Sequence, residues 1–510
     1  MAKFNVKQEE NNLTLNKSGY KAFKMEDKEK LATMVFTTMF GEAKFYGDNT
    51  SELVELAKDL IAKGQGKYVA NLAVFVRNEM NLRSVSHALC AILASQEKGK
   101  EFVKFAVSGV CKRADDILEI LSYYMAMYGK PIPNSLKKAL AGAMNTFDEY
   151  QFGKYKGNKR SMNFKDVLML THAKAKNEEQ NRIFKAILDD KLEVPYTWET
   201  ELSAKGNTTE VWEELIESGK VGVMALLRNL NNILYAQPKN FDKVLETLTN
   251  EEKILKSRIL PFRFYSAYRA VKDNPFCSSK VIDCLEDAIA ISTKNIEKLK
   301  GKTCIAIDVS GSMKWTYLSN RSIITCSDTA NLLASMANRI CEDSLVITFD
   351  TEAKIENLST RNGIIANAES IKVNGGGTNV AIPLICLLKE KIKVDRIIML
   401  SDNEINRGFD FEFSFDRYSE DIKNQFKNSS CQSLLNRYKN EVNPDVIFHA
   451  VDLQGYGTQQ FKGKNVNILA GWNEKIFDFI NLAEQGFGKL VEIIELYDGV
   501  ANYADTDSES

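Results

Sequence analysis

A chain of 510 residues exceeds what one hydrophobic core serves and implies two to four domains. With 44% hydrophobic and 26% charged residues it is not a disordered chain. No apolar run approaches the ~18 residues of a membrane span, and the start, Met1 to Lys7, lacks a signal-peptide core. Nine cysteines without a Cys-x-x-Cys pair argue against a disulfide framework or a zinc site, and the expected compartment is the reducing cytoplasm. The net charge of −1 hides an asymmetry. Residues 1–300 carry 46 Lys and Arg against 39 Asp and Glu, while residues 301–510 carry 21 against 29. The first part suits a polyanion and the second a cation.

In chain order, residues 1–18 read as a flexible lead-in. From about 26 to 299 the pattern is helical. In Ser51–Lys63, Leu53, Leu56, Ala57, Leu60 and Ile61 recur at the spacing of one helix face. Further helices are expected at Tyr68–Glu79, Ser84–Ala94, Asp115–Tyr128, Ser135–Phe147, Asn177–Leu188, Val221–Tyr235, Phe241–Thr249 and Val281–Leu299. Asp115 and Asp116 suit a helix start, and Asn134 can cap the next helix. Short helices without strands imply stacked helical hairpins, whose long surfaces favour a macromolecular ligand.

The texture changes at Gly301. A buried strand is expected at Cys304–Val309, then helix Ser322–Cys341, strand Ser344–Phe349, helices Asn362–Ile371 and Val380–Lys391, and strand Arg396–Leu400. Helix Tyr418–Tyr438, strands Asp445–Val451 and Val466–Leu469, and helix Asn473–Glu484 follow. This alternation predicts a parallel, doubly wound sheet. Residues 501–510 form an acidic tail.

Asp308-Val-Ser310-Gly-Ser312 ends the first strand, at the edge where such sheets bind ligands. One carboxylate and two hydroxyls on a tight turn are hard oxygens suited to Mg²⁺ or Mn²⁺. Thr378, after Gly375-Gly376-Gly377, and Asp402, after the strand Ile397–Ser401, belong to the same edge. The bland reading is that Asp308 and Ser310 cap a turn. A hydrolase would need a base beside Ser310 or Ser312, and His87, His172 and His449 all lie outside the motif.

The three-part set resembles the metal-ion-dependent adhesion site of von Willebrand A domains, over roughly residues 301–500. The resemblance implies that Asp308, Ser310, Ser312, Thr378 and Asp402 hold a divalent ion, Mg²⁺ or Mn²⁺, with a position open to a partner's carboxylate or phosphate. Relatives often carry Asp where this chain has Asn379, which would make the metal's field one charge less negative.

Residues 60–300, in a helical domain expected over 19–300, resemble the TROVE module of Ro proteins and their bacterial relatives. The resemblance is carried by Leu72-Ala-Val-Phe-Val-Arg77, Asn81-Leu-Arg-Ser-Val-Ser86, Arg113-Ala-Asp-Asp-Ile-Leu-Glu119, Lys165-Asp-Val-Leu-Met-Leu-Thr-His172, Met224-Ala-Leu-Leu-Arg-Asn-Leu230 and Pro261-Phe-Arg263. With the A domain behind it, the likeness spans nearly the whole chain and matches a bacterial-type Ro protein. It implies a HEAT-like helical-repeat ring closed by the A domain, monomeric, and without catalytic activity. Its RNA partners would be a small Y-like RNA on the outside and single-stranded ends of misfolded noncoding RNA in the hole. A 3′ exonuclease tethered through the RNA is a further implied partner.

The residues also favour RNA directly. Tyr150-Gln-Phe-Gly-Lys-Tyr-Lys-Gly-Asn-Lys-Arg160 interleaves aromatics with cations that can stack on bases and neutralise phosphates. By the resemblance, Lys154, Tyr155, Lys159 or Arg160, Lys165 and His172 form the outer RNA site. The alternatives are a solvated loop, packed aromatics and a core histidine. Arg77, Arg83, Arg228 and Arg263 face either the hole or carboxylates of neighbouring repeats. Against the ribonucleoprotein reading stands a metal-dependent protein-binding scaffold or adhesion module.

Overall fold

In the computed structural model the described residues are 13–15, 21–37, 48–156, 162–318, 322–402, 426, 429–455, 458–471, 475–484 and 490–499. They fall into two compact units, one within 1–26 and 207–490, the other within 27–206 and 491–510.

The second unit is helical. Its helices include Asp48–Ala62, Gly66–Asn78, Ser84–Ser95, Val103–Val110, Ala114–Tyr128, Asn134–Met144, Glu149–Lys154, Phe164–Thr171 and Glu178–Leu188. Helices Gly66–Asn78 and Ser84–Ser95 are apolar on nearly every side and are buried almost throughout, so they form the centre of the array. Leu490–Leu496 also contributes here beyond residue 490, although the A-domain pattern was expected to run to 500. Asn71 Nδ2 donates to the Glu495 carbonyl at 2.9 Å, and Tyr497 OH donates to Glu79 Oε1 at 2.6 Å. Tyr497 also meets Phe75 edge-on at 5.1 Å. The acidic sequence of this segment concealed how firmly its apolar side is held.

Asp116 is the polar hub of this unit and is fully buried. It accepts from Arg77 Nη2 at 3.3 Å, Arg83 Nε at 3.1 Å, His87 Nε2 at 3.0 Å and the Arg113 amide at 2.9 Å. Burial alone would raise this carboxyl, but His87, Arg83 and Arg77 hold it far below the usual range.

The first unit holds a six-stranded sheet. The unit's strands begin with an N-terminal pair outside that sheet, β1 (Leu13–Leu15) and β2 (Lys21–Lys24). They are followed by β3 (Leu299–Asp308), β4 (Cys341–Phe349), β5 (Ala353–Glu356), β6 (Arg396–Ser401), β7 (Ile447–Asp452), β8 (Thr458–Gln459) and β9 (Val466–Ala470). The sheet order is β5-β4-β3-β6-β7-β9, parallel except for β5. Cys304, Ala306, Ile347, Phe349, Ile397 and Met399 share one core with helices Ile382–Lys389 and Cys431–Glu441. Alternate residues Ile305, Ile307, Val346, Ile398 and Leu400 are buried as well, which is why the strands read as unbroken apolar runs.

Three expectations change. The lead-in contains β1, paired with β2, which in turn pairs with β8. Leu299 begins β3 instead of ending a helix, because the preceding helix stops at Ser292. Helix Asn134–Met144 starts at Asn134 itself, with Pro133 in the capping position. The first part of the expected helix Tyr418–Tyr438 lies outside the described residues; Cys431–Glu441 is its described helix.

Helices from 209 to 292 belong to the same unit as the sheet. Glu286 accepts from the Ile365 and Ala366 amides at 3.1 Å each, supplying an acceptor to the start of helix Ile364–Ser370. Tyr265 OH donates to Glu369 Oε1 at 3.0 Å, and Arg269 pairs with Asp328.

Against the neighbouring strands β6 and β7, Glu484 bridges Arg396 and His449 Nε2, the latter at 2.9 Å. Burial opposes its charge, but these partners keep the Glu484 carboxyl down at about 2. A depressed carboxyl stabilises the fold fully above its ordinary value of 4.5, and that contribution fades as pH falls toward 2. Glu484→Gln, which strands the buried Arg396, should cost about 3 kcal/mol at pH 7. Denaturant unfolding from pH 7 to 2.5 should show the gap between parent and variant closing on the acid side; a pH-independent gap would assign the loss to packing.

Candidate metal centre and nucleic-acid surface

The chain reverses direction of travel across the sheet between β3 and β6, because β4 lies on one side of β3 and β6 on the other. Such a switch point opens a crevice at the carboxyl ends of the strands. Asp308 ends β3 and Asp402 immediately follows β6, so topology alone puts both carboxylates beside it. Asp308, Ser310, Thr378 and Asp402 are buried, and Ser312 is half-buried. Asp308 Oδ1 accepts from the Ser310 amide at 3.0 Å, and Oδ2 accepts from Ser401 Oγ at 2.7 Å. Ser310 Oγ and Ser312 Oγ are 3.1 Å apart.

The glycine loop closes the set. The Gly311 amide donates to the Gly376 carbonyl at 3.0 Å, and the Gly375 amide to the Val309 carbonyl at 3.3 Å. Gly375 has φ +85, and a Cβ on Gly376 would lie 2.8 Å from Asp350 Oδ2. The loop therefore needs glycine to reach the motif.

A hard cation fits these residues. Thr378 Oγ1 is buried and makes no hydrogen bond among the described residues. Burial and the neighbouring Asp402 carboxylate push the Asp308 carboxyl well above its usual range. No group of three or more His, Cys, Asp or Glu side chains suited to a metal occurs among the described residues. The set offers hydroxyls instead. Asn379 turns its Oδ1 to the Ala381 amide at 3.2 Å, a capping contact before helix Ile382–Lys389.

The basic–aromatic segment lies in the other unit. Asp148 caps helix Glu149–Lys154 by accepting from the Gln151 amide at 2.8 Å. Phe152 is fully buried, edge-on to Phe164 at 4.9 Å, so it packs and takes no part in the surface. Tyr155 is half-buried beneath the Arg113 guanidinium, 4.5 Å from its ring. Lys154 reaches Glu199 Oε1 at 3.6 Å. Lys156 Nζ and exposed Lys165 Nζ converge on one helix end, donating to the carbonyls of Asp190 at 3.0 Å and Leu188 at 2.9 Å.

His172 is exposed rather than a core histidine. It caps helix Phe164–Thr171 in the left-handed conformation, φ 52, about 10 Å along the axis from Lys165. Lys159 and Arg160 lie outside the described residues. Of the four arginines, Arg77 is buried on Asp116, and Arg83 pairs with Asp115 at 3.0 Å as well as Asp116. Arg228 and Arg263 are exposed, both in the first unit. The sequence reading missed Arg113, whose partner Tyr155 is remote in sequence, and Ser401, which adjacency to Asp402 offered.

A helical array followed by a doubly wound A domain with a hydroxyl-rich strand edge defines the class. The TROVE domain family matches residues 21–190 and 189–280, and the Ro60 von Willebrand A family matches 302–443. The chain belongs to the TROVE-domain family. It is 23% identical over 330 residues to telomerase protein component 1 of Rattus norvegicus, covering 48% of this chain and 13% of that protein. It is 25% identical over 202 residues to RNA-binding protein RO60 of Deinococcus radiodurans, covering 37% of this chain and 38% of that one. RNA-binding protein RO60 of Caenorhabditis elegans is 25% identical over 262 residues, 47% of this chain and 38% of that one. The matches thus span well under half the length of these relatives. The crystal structure of the Deinococcus radiodurans Ro (RSR) protein shares the fold, with TM-score 0.59 and 16% identity over 93% of this chain and 99% of that chain.

A Cβ at Gly153 would lie 2.1 Å from the Glu193 carbonyl, so the segment before Thr197 can cross helix Glu149–Lys154 only over a glycine. Gly153→Ala should cost about 1–3 kcal/mol through this overlap. Chemical denaturation checks the value, and an unchanged midpoint would mean that the segment is not seated there.

Proposed function

We propose that the protein is an RNA-binding ribonucleoprotein component that holds a small structured, Y-like RNA and acts in RNA quality control or processing. The observation that carries this reading is the surface around Lys154, Tyr155, Lys165 and His172. It combines a stacked Arg113–Tyr155 pair with half-buried Lys154 and exposed Lys165 and His172, within the region matched by the TROVE family. Cations neutralise phosphates, and a guanidinium-backed aromatic presents a face for an unpaired base. The RO60 relatives are named RNA-binding proteins, which supports the same class of ligand. The reading includes single-stranded ends of misfolded RNA as a second ligand and a 3′ exonuclease tethered through the RNA. No helix among the described residues is long and apolar enough to cross a membrane.

The reading is of binding without turnover. His87 and His449 are buried in pairs with Asp116 and Glu484. Lys165 also serves the Leu188 carbonyl, so its loss would mix binding with packing. Replacing Lys154, Arg160 and His172 together by Ala should lower affinity for a small structured RNA at least tenfold, about 1.4 kcal/mol. Filter binding at fixed salt measures this, with thermal melting as the control for folding. Unchanged affinity in a folded variant would leave this segment a solvated connection.

For the A domain we propose one Mg²⁺ or Mn²⁺ held by Asp308, Ser310, Ser312, Thr378 and Asp402. The ion would supply a positive charge to the buried acid pair and a position for an anionic group. The exposed Trp315 (72%), Tyr317 and Ile323, just after the motif, favour a second reading in which this edge docks a protein carrying an acidic side chain. Calorimetry with MgCl₂ or MnCl₂ should give one site on the parent and none on Asp308→Ala. Equal heats from both would remove this assignment.

A further inference from the structure

We infer that the solvent face of helix Val223–Ala236, together with Phe276, is a stacking platform for unpaired RNA bases. The inference rests on the RNA-binding reading and adds a second place of contact, in the other compact unit from the Lys154–His172 surface.

The helix has two faces of opposite character. Leu226, Leu227, Leu230, Ile233 and Leu234 are buried. Met224, Arg228, Asn231 and Tyr235 recur at steps of four, three and four residues, which aligns them in one stripe about 16 Å long. Tyr235 is 57% exposed, Phe276 44% and Met224 43%, and Arg228 is exposed with them. A helix needing only to fold would place charge here; three large apolar side chains on one exposed surface call for a partner.

The aromatic pair is held in position. Tyr235 and Phe276 meet edge-on, with centroids 6.0 Å apart at 82°. Phe276 belongs to the loop before helix Ser279–Ser292, and two amides fix that loop to the stripe. Asn274 Nδ2 donates to Asn231 Oδ1 at 2.8 Å, while Asn274 Oδ1 accepts from the Phe276 amide at 2.8 Å. Asn274 is buried. The rings are therefore preorganised, and an incoming base does not have to order them.

The chemistry selects the ligand. An edge-to-face pair leaves a ring face open to a planar group, and every nucleobase has such a face. Arg228, two turns from Tyr235 on the same stripe, supplies a cation for the backbone phosphate about 10 Å away. Stacking requires the base to be unpaired, so the ligand is single-stranded, whereas a continuous duplex presents phosphates and sugars to a convex helix.

The test uses the full-length protein with two probes, a twelve-residue oligouridylate and a small RNA hairpin. Tyr235→Ala combined with Phe276→Ala should weaken the oligouridylate at least tenfold and leave the hairpin unchanged, with an unaltered melting curve. Tyr235→Phe, which retains the ring, should bind as the parent does. Arg228→Gln should weaken the oligouridylate and flatten its salt dependence. If the parent binds the hairpin but not the oligouridylate, or if the double variant binds both as well as the parent, the platform is overturned while the RNA-binding reading stands. If the parent binds neither RNA, the RNA-binding reading itself fails. Equal weakening of both RNAs by the double variant would also overturn a separate single-stranded site.

Discussion

Two carboxylates buried side by side are the constraint around which the A domain is arranged. Parallel strands β3 and β6 are neighbours, so Asp308 and Asp402 must emerge together at the carboxyl edge. Like charges in a buried site repel, and only a proton or a cation offsets the cost. Much of the nearby structure follows from that. Ser401 steadies one Asp308 oxygen and the Ser310 amide the other. The glycine loop is bonded to the motif through Gly375 and Gly376, just before Thr378, and Asn379 uses its side chain to begin the next helix.

The helical unit treats a buried carboxylate in the opposite way. Asp116 is surrounded by cations and amides of its own chain, so its charge is balanced before any ligand arrives. Removing one partner there would leave an uncompensated charge, which costs more than the intact network contributes. Arg77 and Arg83 thus have a physical purpose inside the array. The comparison separates two arrangements of buried acids that look alike in sequence: Asp116 is matched by its own chain's cations, whereas Asp308 has a second carboxylate, Asp402, as its neighbour.

The parallel sheet was legible because strands covered on both faces are apolar throughout, as in Cys304–Ile307 and Ile397–Leu400. Helices such as Glu178–Leu188, with Asn177 as cap, followed from periodicity and capping chemistry. The short strands β1, β2, β5 and β8 were not legible. Two to four residues carry too little pattern alone, and β8 gains its definition only from β2, a partner distant in sequence. The adhesion-type set was visible as spacing, since each donor sits at a strand end or a glycine loop. Which aromatics face outward was not: Phe152 and Tyr155 are close neighbours in sequence, yet one is core and the other lies under an arginine from a remote helix. Nothing local in the sequence marks Arg113 for that contact.

The division of the chain into units has a consequence for how the protein can be taken apart. The backbone passes from one unit to the other after residues 26, 206 and 490, so neither unit is a continuous piece of sequence. A cut at Gly301, where the pattern changes, would separate β8 from its partner β2 and Tyr497 from Glu79. Each fragment would lose an edge that only the other can restore. Because of this interleaving, a ribosome must make the segment after residue 490 before helix Gly66–Asn78 is fully covered.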